Sequence, residues 1–449
     1  MNGTQTNSAT TDGWSRIAVL LLFGYCLLGR SFAYLGFPPW HIFVGELALA
    51  AFLLAGPETV MGPWVTYARR IWRLRRLIKL YLALLLYGIF EVLRGIALGH
   101  PLLTSVRDLA FDYYPLFLLL GIWVAWRKPQ LLRGLFRNLA WFNAVYGIAY
   151  VLFLNRVTWV FPGVSDQLTP VPIFGLPEFS FVILLGLLVC EPKLGEIWHL
   201  LLLNAFVLLG MQIRAEWLGL AVGLFLWACV TRNLKRFMAG SAAVAAVLAL
   251  MLVLNFSARG PVSRGPSEIS ARDLVGRALA PVDPDLAADY TSSVKMDVGT
   301  TVWRTIWWAA IWESVNQSRR TALLGLGYGY PIGNLVPYLE GDFIQTPHDA
   351  FFYALGYSGW IGVLVFALFQ AELARLLWRT YRRTGRLIGI ILWAAMLAFA
   401  LFTPFFEVPQ GAIPFYILLG FVVGAGMLRT RQQPLIPSSV LPAPQGCET

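Results

Sequence analysis

The chain has 449 residues, 58% of them hydrophobic and 13% charged, with a net charge of +11. A soluble domain carries roughly 25% charged residues, so a soluble fold is excluded. The surplus of Lys and Arg does not mark a nucleic-acid partner, because these residues lie between apolar runs, on alternating sides, as membrane orientation requires.

Apolar runs of about 20 residues recur along the whole length, each enough to cross a bilayer as a helix. The expected fold is all-α: a polytopic helical membrane protein with about twelve transmembrane helices and a large extracytoplasmic loop. The spans are read at residues 15–35, 39–56, 77–98, 109–126, 134–154, 173–191, 196–212, 214–231, 236–255, 350–377, 387–403 and 410–428. The first run follows Arg16 and has no small-x-small cleavage site after it, so it is expected to be a retained span. Eighteen Trp and seventeen Tyr suit anchoring at the membrane interfaces.

Loops after even-numbered spans are basic. They hold Arg69, Arg70, Arg73, Arg75 and Arg76, then Arg127 and Lys128, Lys193, Arg232, Lys235 and Arg236, and Arg379, Arg382, Arg383 and Arg386. Loops after odd-numbered spans are poor in Lys and Arg. Both termini are therefore expected in the cytoplasm, and Arg214 and His348 on the outer side. The chain divides into nine spans at 1–255, an outer loop at 256–349, three spans at 350–430 and a Pro-rich, disordered cytoplasmic tail at 431–449.

The outer loop opens with the Pro/Gly/Ser linker RGPVSRGPSEIS. TTVWRTIWWAAIWESV follows, with Trp303, Ile306, Trp307, Ala310 and Ile311 at helical spacing, as in a helix lying in the interface. LLGLGYGYPIGN then forms a Gly-punctuated turn that delivers the chain to His348.

Four cysteines do not make a disulfide framework. Cys26, Cys190 and Cys229 lie in apolar runs as packing residues, and Cys447 is third from the end, so it does not form a prenylation box. Nothing matches GxxxxGK[ST], which argues against direct use of ATP.

A few polar residues stand out. His348 precedes an apolar helix and is the side chain whose proton is most easily moved near neutral pH. Asp349 either orients the imidazole or caps the helix starting at Ala350, capping being the reading that position favours. In MQIRAEWLGLAVG, Arg214 and Glu216 are either a snorkelling pair at a tight turn or part of an anion site, for which the planar Arg fork is suited. Arg304 either anchors the interfacial helix to headgroups or adds a second cation to that anion. Asp283 and Asp285 in VDPDL spell the Asp-x-Asp of metal-dependent sugar transferases, but the Pro between them reads as a turn. No His/Cys/carboxylate cluster offers a better metal site. Glu46, Glu91, Arg94 and Glu178 are charged residues in or near apolar runs, candidates to line a cavity, with no assigned role. Glu91 and Arg94 are spaced to pair on one helix face.

These stretches resemble the bacterial O-antigen ligase and O-antigen polymerase family. His348-Asp349, nine residues, then Gly359-Trp360-Ile361-Gly362 follows the family's pattern of an outer His and a later G-x-x-G, with Asp349 where that pattern has Asn, Ser or Gln. Arg214 to Leu218 fits its R-x-x-x-L, and residues 303–329 resemble its Arg, helix and Gly-rich turn. The resemblance implies a glycosyltransferase of the C superfold in the bacterial inner membrane, working without metal or cofactor. Its donor would be an undecaprenyl-diphosphate-linked glycan taken from membrane lipid, and its acceptor a glycan or lipid A core. His348 would be the catalytic base, Arg214 and Arg304 the diphosphate-binding cations, and Asp349 and Glu216 supporting residues. Two alternatives stay open: a polymerase of the same family, to which Asp349 points, and a lipid-linked glycan transporter, against which stands the lack of a visible internal repeat.

Overall fold

The structure is a computed structural model that describes residues 7–37, 42–55, 74–166, 169–191, 193–232, 234–260, 268–280, 283–291, 294–336 and 346–429. The tail at 431–449 and the basic residues Arg69, Arg70 and Arg73 lie outside the described residues.

The chain is a bundle of apolar helices. In order these are α1 (Asn7–Ala33), α2 (Val44–Ala55), α3 (Arg75–Ala97), α4 (Leu102–Asp108), α5 (Ala110–Tyr113), α6 (Phe117–Arg127), α7 (Leu131–Leu152), α8 (Ser180–Cys190), α9 (Trp198–Gly210), α10 (Arg214–Thr231) and α11 (Leu234–Val253). The loop segment carries α12 (Ala271–Leu279), α13 (Pro284–Ala288), α14 (Val294–Asn316) and α15 (Arg319–Leu324). Then come α16 (Ala350–Thr384), α17 (Ile388–Ala400) and α18 (Pro409–Arg429). Among the described residues, six helices are long and apolar enough to cross a membrane, and five shorter apolar ones stand beside them. The protein is an all-α polytopic membrane protein.

Each of the twelve expected segments holds a helix, but two are shorter or broken where proline intervenes. Residues 173–179 are not helical, and α8 starts at Ser180. Pro177 disfavours helical backbone at the residue before it, which delays the helix. The fourth segment, 109–126, is split into α5, a short 3-10 turn at Tyr114–Leu116 and α6. Pro115 lacks the N–H that would continue the ladder and its ring crowds the carbonyl one turn back.

Without a hydrophobic drive between helices in lipid, packing relies on close approach and shared hydrogen bonds. α6 and α18 meet along Gly121, Gly420 and Gly424, where a Cβ would strike the facing backbone at Ile417, Leu118 and Ile122. Asn143 of α7 donates to Asn204 Oδ1 of α9 at 2.9 Å and to Ser180 Oγ of α8 at 3.2 Å, tying three helices together.

In the loop segment, β1 (Ala258–Arg259) and β2 (Glu268–Ile269) pair antiparallel in the register Ala258–Ile269 and Arg259–Glu268. Asp273 of α12 accepts from Arg277 Nε at 2.9 Å and from Gln212 Nε2 at 3.2 Å, and Gln212 also donates to the Glu268 carbonyl at 2.7 Å. This buried network fastens α12 to the turn that precedes α10. Asp283 caps α13 by accepting from Leu286 N at 2.9 Å, the turn role expected of VDPDL.

α14 is longer than the stretch read from the sequence, and its buried stripe differs by one residue. Trp307, Ile311 and Val315 are fully buried, whereas Ile306 is 48% exposed.

Candidate active site

α16 contains a break. Gly359 has φ 62 and ψ −167, a conformation open essentially to glycine alone. The break leaves the Gly356 and Tyr357 carbonyls free for other donors, and Leu326 N and Gly327 N bond to them at 2.8 and 2.9 Å. The LGLGYGY turn thus docks against α16 by its backbone. Gly325, Gly327 and Gly329 have φ of 70, 93 and 81, which a side chain would resist.

Two elements clasp this turn from the other side. Arg94 of α3 pairs with Glu91, Nε to Oε2 at 2.7 Å, and donates to the Leu324 carbonyl at 2.5 Å and the Gly325 carbonyl at 3.3 Å. Around α4 and α5, Ser105 Oγ donates to the Tyr328 carbonyl at 3.0 Å, Gly329 N to Asp108 Oδ2 at 2.8 Å and Tyr328 OH to Asp112 Oδ2 at 2.5 Å. Glu91 and Arg94 are therefore residues of the turn's support.

The His348 segment is held by α14. Trp308 Nε1 donates to the Pro347 carbonyl at 2.8 Å, and its ring stacks on Phe352 with centroids 5.3 Å apart. His348 has φ 55, in the left-handed region that His tolerates better than most residues. Its ring meets Trp303 edge to face at 5.5 Å, and the Arg304 guanidinium carbon lies 5.5 Å from the same Trp303 ring. Asp349 is the N-cap of α16, accepting from Phe352 N at 2.9 Å. Burial raises its carboxyl to about 6.

A cavity of about 510 Å³ lies before this segment. His348 and Arg304 line it together with Glu46 and Glu178. Glu46 is held by Tyr114 OH at 2.7 Å, Tyr113 OH at 3.2 Å and Phe43 N at 3.2 Å. Arg214 is not among the lining residues. Its neighbour Ile213 is, so Arg214 stands at the margin, half-buried at the first position of α10. Glu216, two residues on, is buried and accepts from Phe181 N at 3.4 Å, at the start of α8.

Four charged cavity residues were not singled out in the sequence: Arg30, Arg107, Asp108 and Glu407. Arg30 follows the kink at Gly29, and Arg107 is in the last turn of α4. Glu407 accepts from Phe405 N at 3.1 Å just before α18, and burial raises its carboxyl to about 7, with Asp349 pushing the same way. Their signal was present: Arg107 follows the third span, where loops are otherwise poor in basic residues.

All the charged lining residues lie near one end of the bundle, where α1 and α4 finish and α2, α10, α16 and α18 begin. The basic residues Arg127, Arg232, Arg382 and Arg383 lie at the other end.

Residues 199–367 match the family model described as O-antigen ligase. No curated protein matches the sequence. The matched segment runs from α9 into α16 and contains Arg214, Arg304, His348 and the Gly359 break. The match covers 169 of the 449 residues and makes this segment similar to the O-antigen ligase family.

Proposed function

We propose that the protein moves a glycan from an undecaprenyl-diphosphate donor to an acceptor hydroxyl on the outer face of the inner membrane. About twelve helices cross that membrane, in a C-superfold arrangement with both termini cytoplasmic. The observation that carries this reading is the meeting of His348 and Arg304 in one cavity, with Arg214 at its margin.

The chemistry needs little else. His348 takes the proton as the acceptor oxygen forms its bond to the anomeric carbon. The bond from that carbon to the diphosphate oxygen breaks, and the electron pair leaves with the diphosphate. Arg304 and Arg214 stabilise the charge that builds on its oxygens. Asp349 supports the base by fixing the start of α16, and Glu216 supports Arg214 by tying α10 to α8.

Charged residues gathered at one end of the bundle favour transfer over transport, which places polar sites near the bilayer midplane. Asp349, in place of Asn, Ser or Gln, favours the polymerase variant. The test is the lipid that accumulates in a strain lacking the protein. Carrier-linked single repeats indicate a polymerase, and a carrier-linked polymer a ligase. Unchanged carrier-linked glycans on the outer leaflet would overturn both, and their retention on the inner leaflet would indicate transport.

A further inference from the structure

Only one of the two arginines that the donor reading assigns to the diphosphate, Arg304, lines the cavity. A second cation on that wall comes from an unexpected place. Arg107 is half-buried on α4 and lines the same cavity as Arg304 and His348. No hydrogen bond or ion pair engages its guanidinium among the described residues. Its neighbour Asp108 instead turns Oδ2 to Gly329 N at 2.8 Å.

Its position is fixed from two sides. Ser105 ties α4 to the Gly-rich turn, and Tyr353 OH donates to the Asp108 carbonyl at 3.4 Å. Tyr353 lies one turn beyond Asp349 on α16, so the backbone that carries Arg107 is joined to the helix that carries His348 at its mouth. Arg107 and Arg30 both act electrostatically on the Tyr34 phenol, and the Arg30 guanidinium carbon lies 5.9 Å from the Tyr34 ring. Arg30, Tyr34 and Arg107 thus form one wall of the cavity.

We propose that Arg107 is a binding residue for the donor's diphosphate, completing with Arg304 a cationic cradle that Arg214 supports from the margin. A diphosphate spreads its charge over several oxygens, and a planar guanidinium can take two at once. A guanidinium that lines the cavity with no hydrogen bond or ion pair among the described residues is ready for such an anion at low cost in broken contacts. The inference rests on the donor reading above but names a residue outside the segment that matches the family.

The test uses full-length protein purified in detergent, with farnesyl diphosphate, farnesyl monophosphate and farnesol as probes. Wild type is expected to bind the diphosphate most tightly. Arg107→Gln should weaken diphosphate binding by about tenfold or more, as loss of a charge-assisted hydrogen bond does, and leave farnesol binding unchanged. Arg107→Lys, which keeps the charge and the fold but loses the fork, should recover only part of the affinity. Thermal melting monitors folding, and should Arg107→Gln not fold, the Lys variant decides alone. Wild-type diphosphate affinity in either variant overturns the proposal while leaving the donor reading intact. So does normal donor affinity with a raised KM for acceptor, which would move Arg107 to the acceptor. Wild type that binds farnesyl diphosphate no better than farnesol overturns the donor reading itself, and this proposal with it.

Discussion

The rings of Trp303 and His348 meet at 88°, their centroids 5.5 Å apart, across the gap between α14 and the mouth of α16. Trp308, just over one turn along α14 from Trp303, holds the preceding carbonyl of Pro347. One helix therefore fixes both the backbone and the ring of His348. An imidazole held this way can be aimed at a proton, which is the geometric condition for a general base.

His348→Ala should lower transfer by about two to four orders of magnitude, the usual size of a missing general base. Donor affinity and thermal melting should stay near wild type. Trp303→Leu, which removes the ring contact but not the base, should lower turnover by less. Near-normal transfer by His348→Ala would return the residue to a solvated helix mouth.

Gly359 is a second point at which one atom matters. A Cβ there would meet the backbone of Leu323 and Gly325, at a φ/ψ that costs of order 1–3 kcal/mol for other residues. Gly359→Ala should lower the melting temperature measurably and loosen the 324–330 turn, read as faster amide exchange at Leu326 and Gly327. Unchanged exchange at those two amides would show that the break in α16 does not depend on glycine.

Much of this was legible in the sequence. Length and apolar runs gave the helices, because a span must satisfy its backbone internally. The Trp spacing gave α14, and His348 and Arg304 were picked out by residue type and position. The misses have a shared cause. Arg107 and Arg30 lie about 240 and 320 residues from His348 in the chain, and only the packing of α1, α4 and α16 brings them to one cavity. Arg94 looked like half of a local pair with Glu91, and its long reach to the Leu324 and Gly325 carbonyls has no local pattern. Ile306 fell at helical spacing yet faces outward, because spacing gives a stripe but not its edges.

The two raised carboxyls make stability depend on pH. Glu407 rises from an ordinary 4.5 to about 7, and Asp349 from 3.8 to about 6, both chiefly through burial. Within those windows the folded state keeps protons that the unfolded chain has released, so stability falls as pH rises. The contribution of Glu407 is fully present below its ordinary value and lost as pH passes about 7. Melting curves between pH 5 and 8 should show this fall, and Glu407→Gln should flatten its upper part. Asp349→Asn keeps an N-cap acceptor and should flatten the lower part. Equal pH slopes in wild type and both variants would remove these two groups as the cause.

Arg214 presents the sharpest choice between roles. It sits beside a cavity residue but does not line the cavity, so its contribution to the diphosphate must come from a side chain reaching over the margin at Ile213. If it grips two oxygens through its fork, Lys keeps the charge but loses the second bond, and Arg214→Lys should fail to restore donor affinity. If it only lifts a charge to the lipid headgroups, Lys serves as well, because either stem can snorkel. The measurement is donor affinity and turnover for Arg214→Lys beside Arg214→Ala, with folding followed by thermal melting. Loss of donor binding in both folded variants places Arg214 in the diphosphate site. Full activity in the Lys variant removes the two-bond grip and leaves Arg304 and Arg107 as the cations that face the donor.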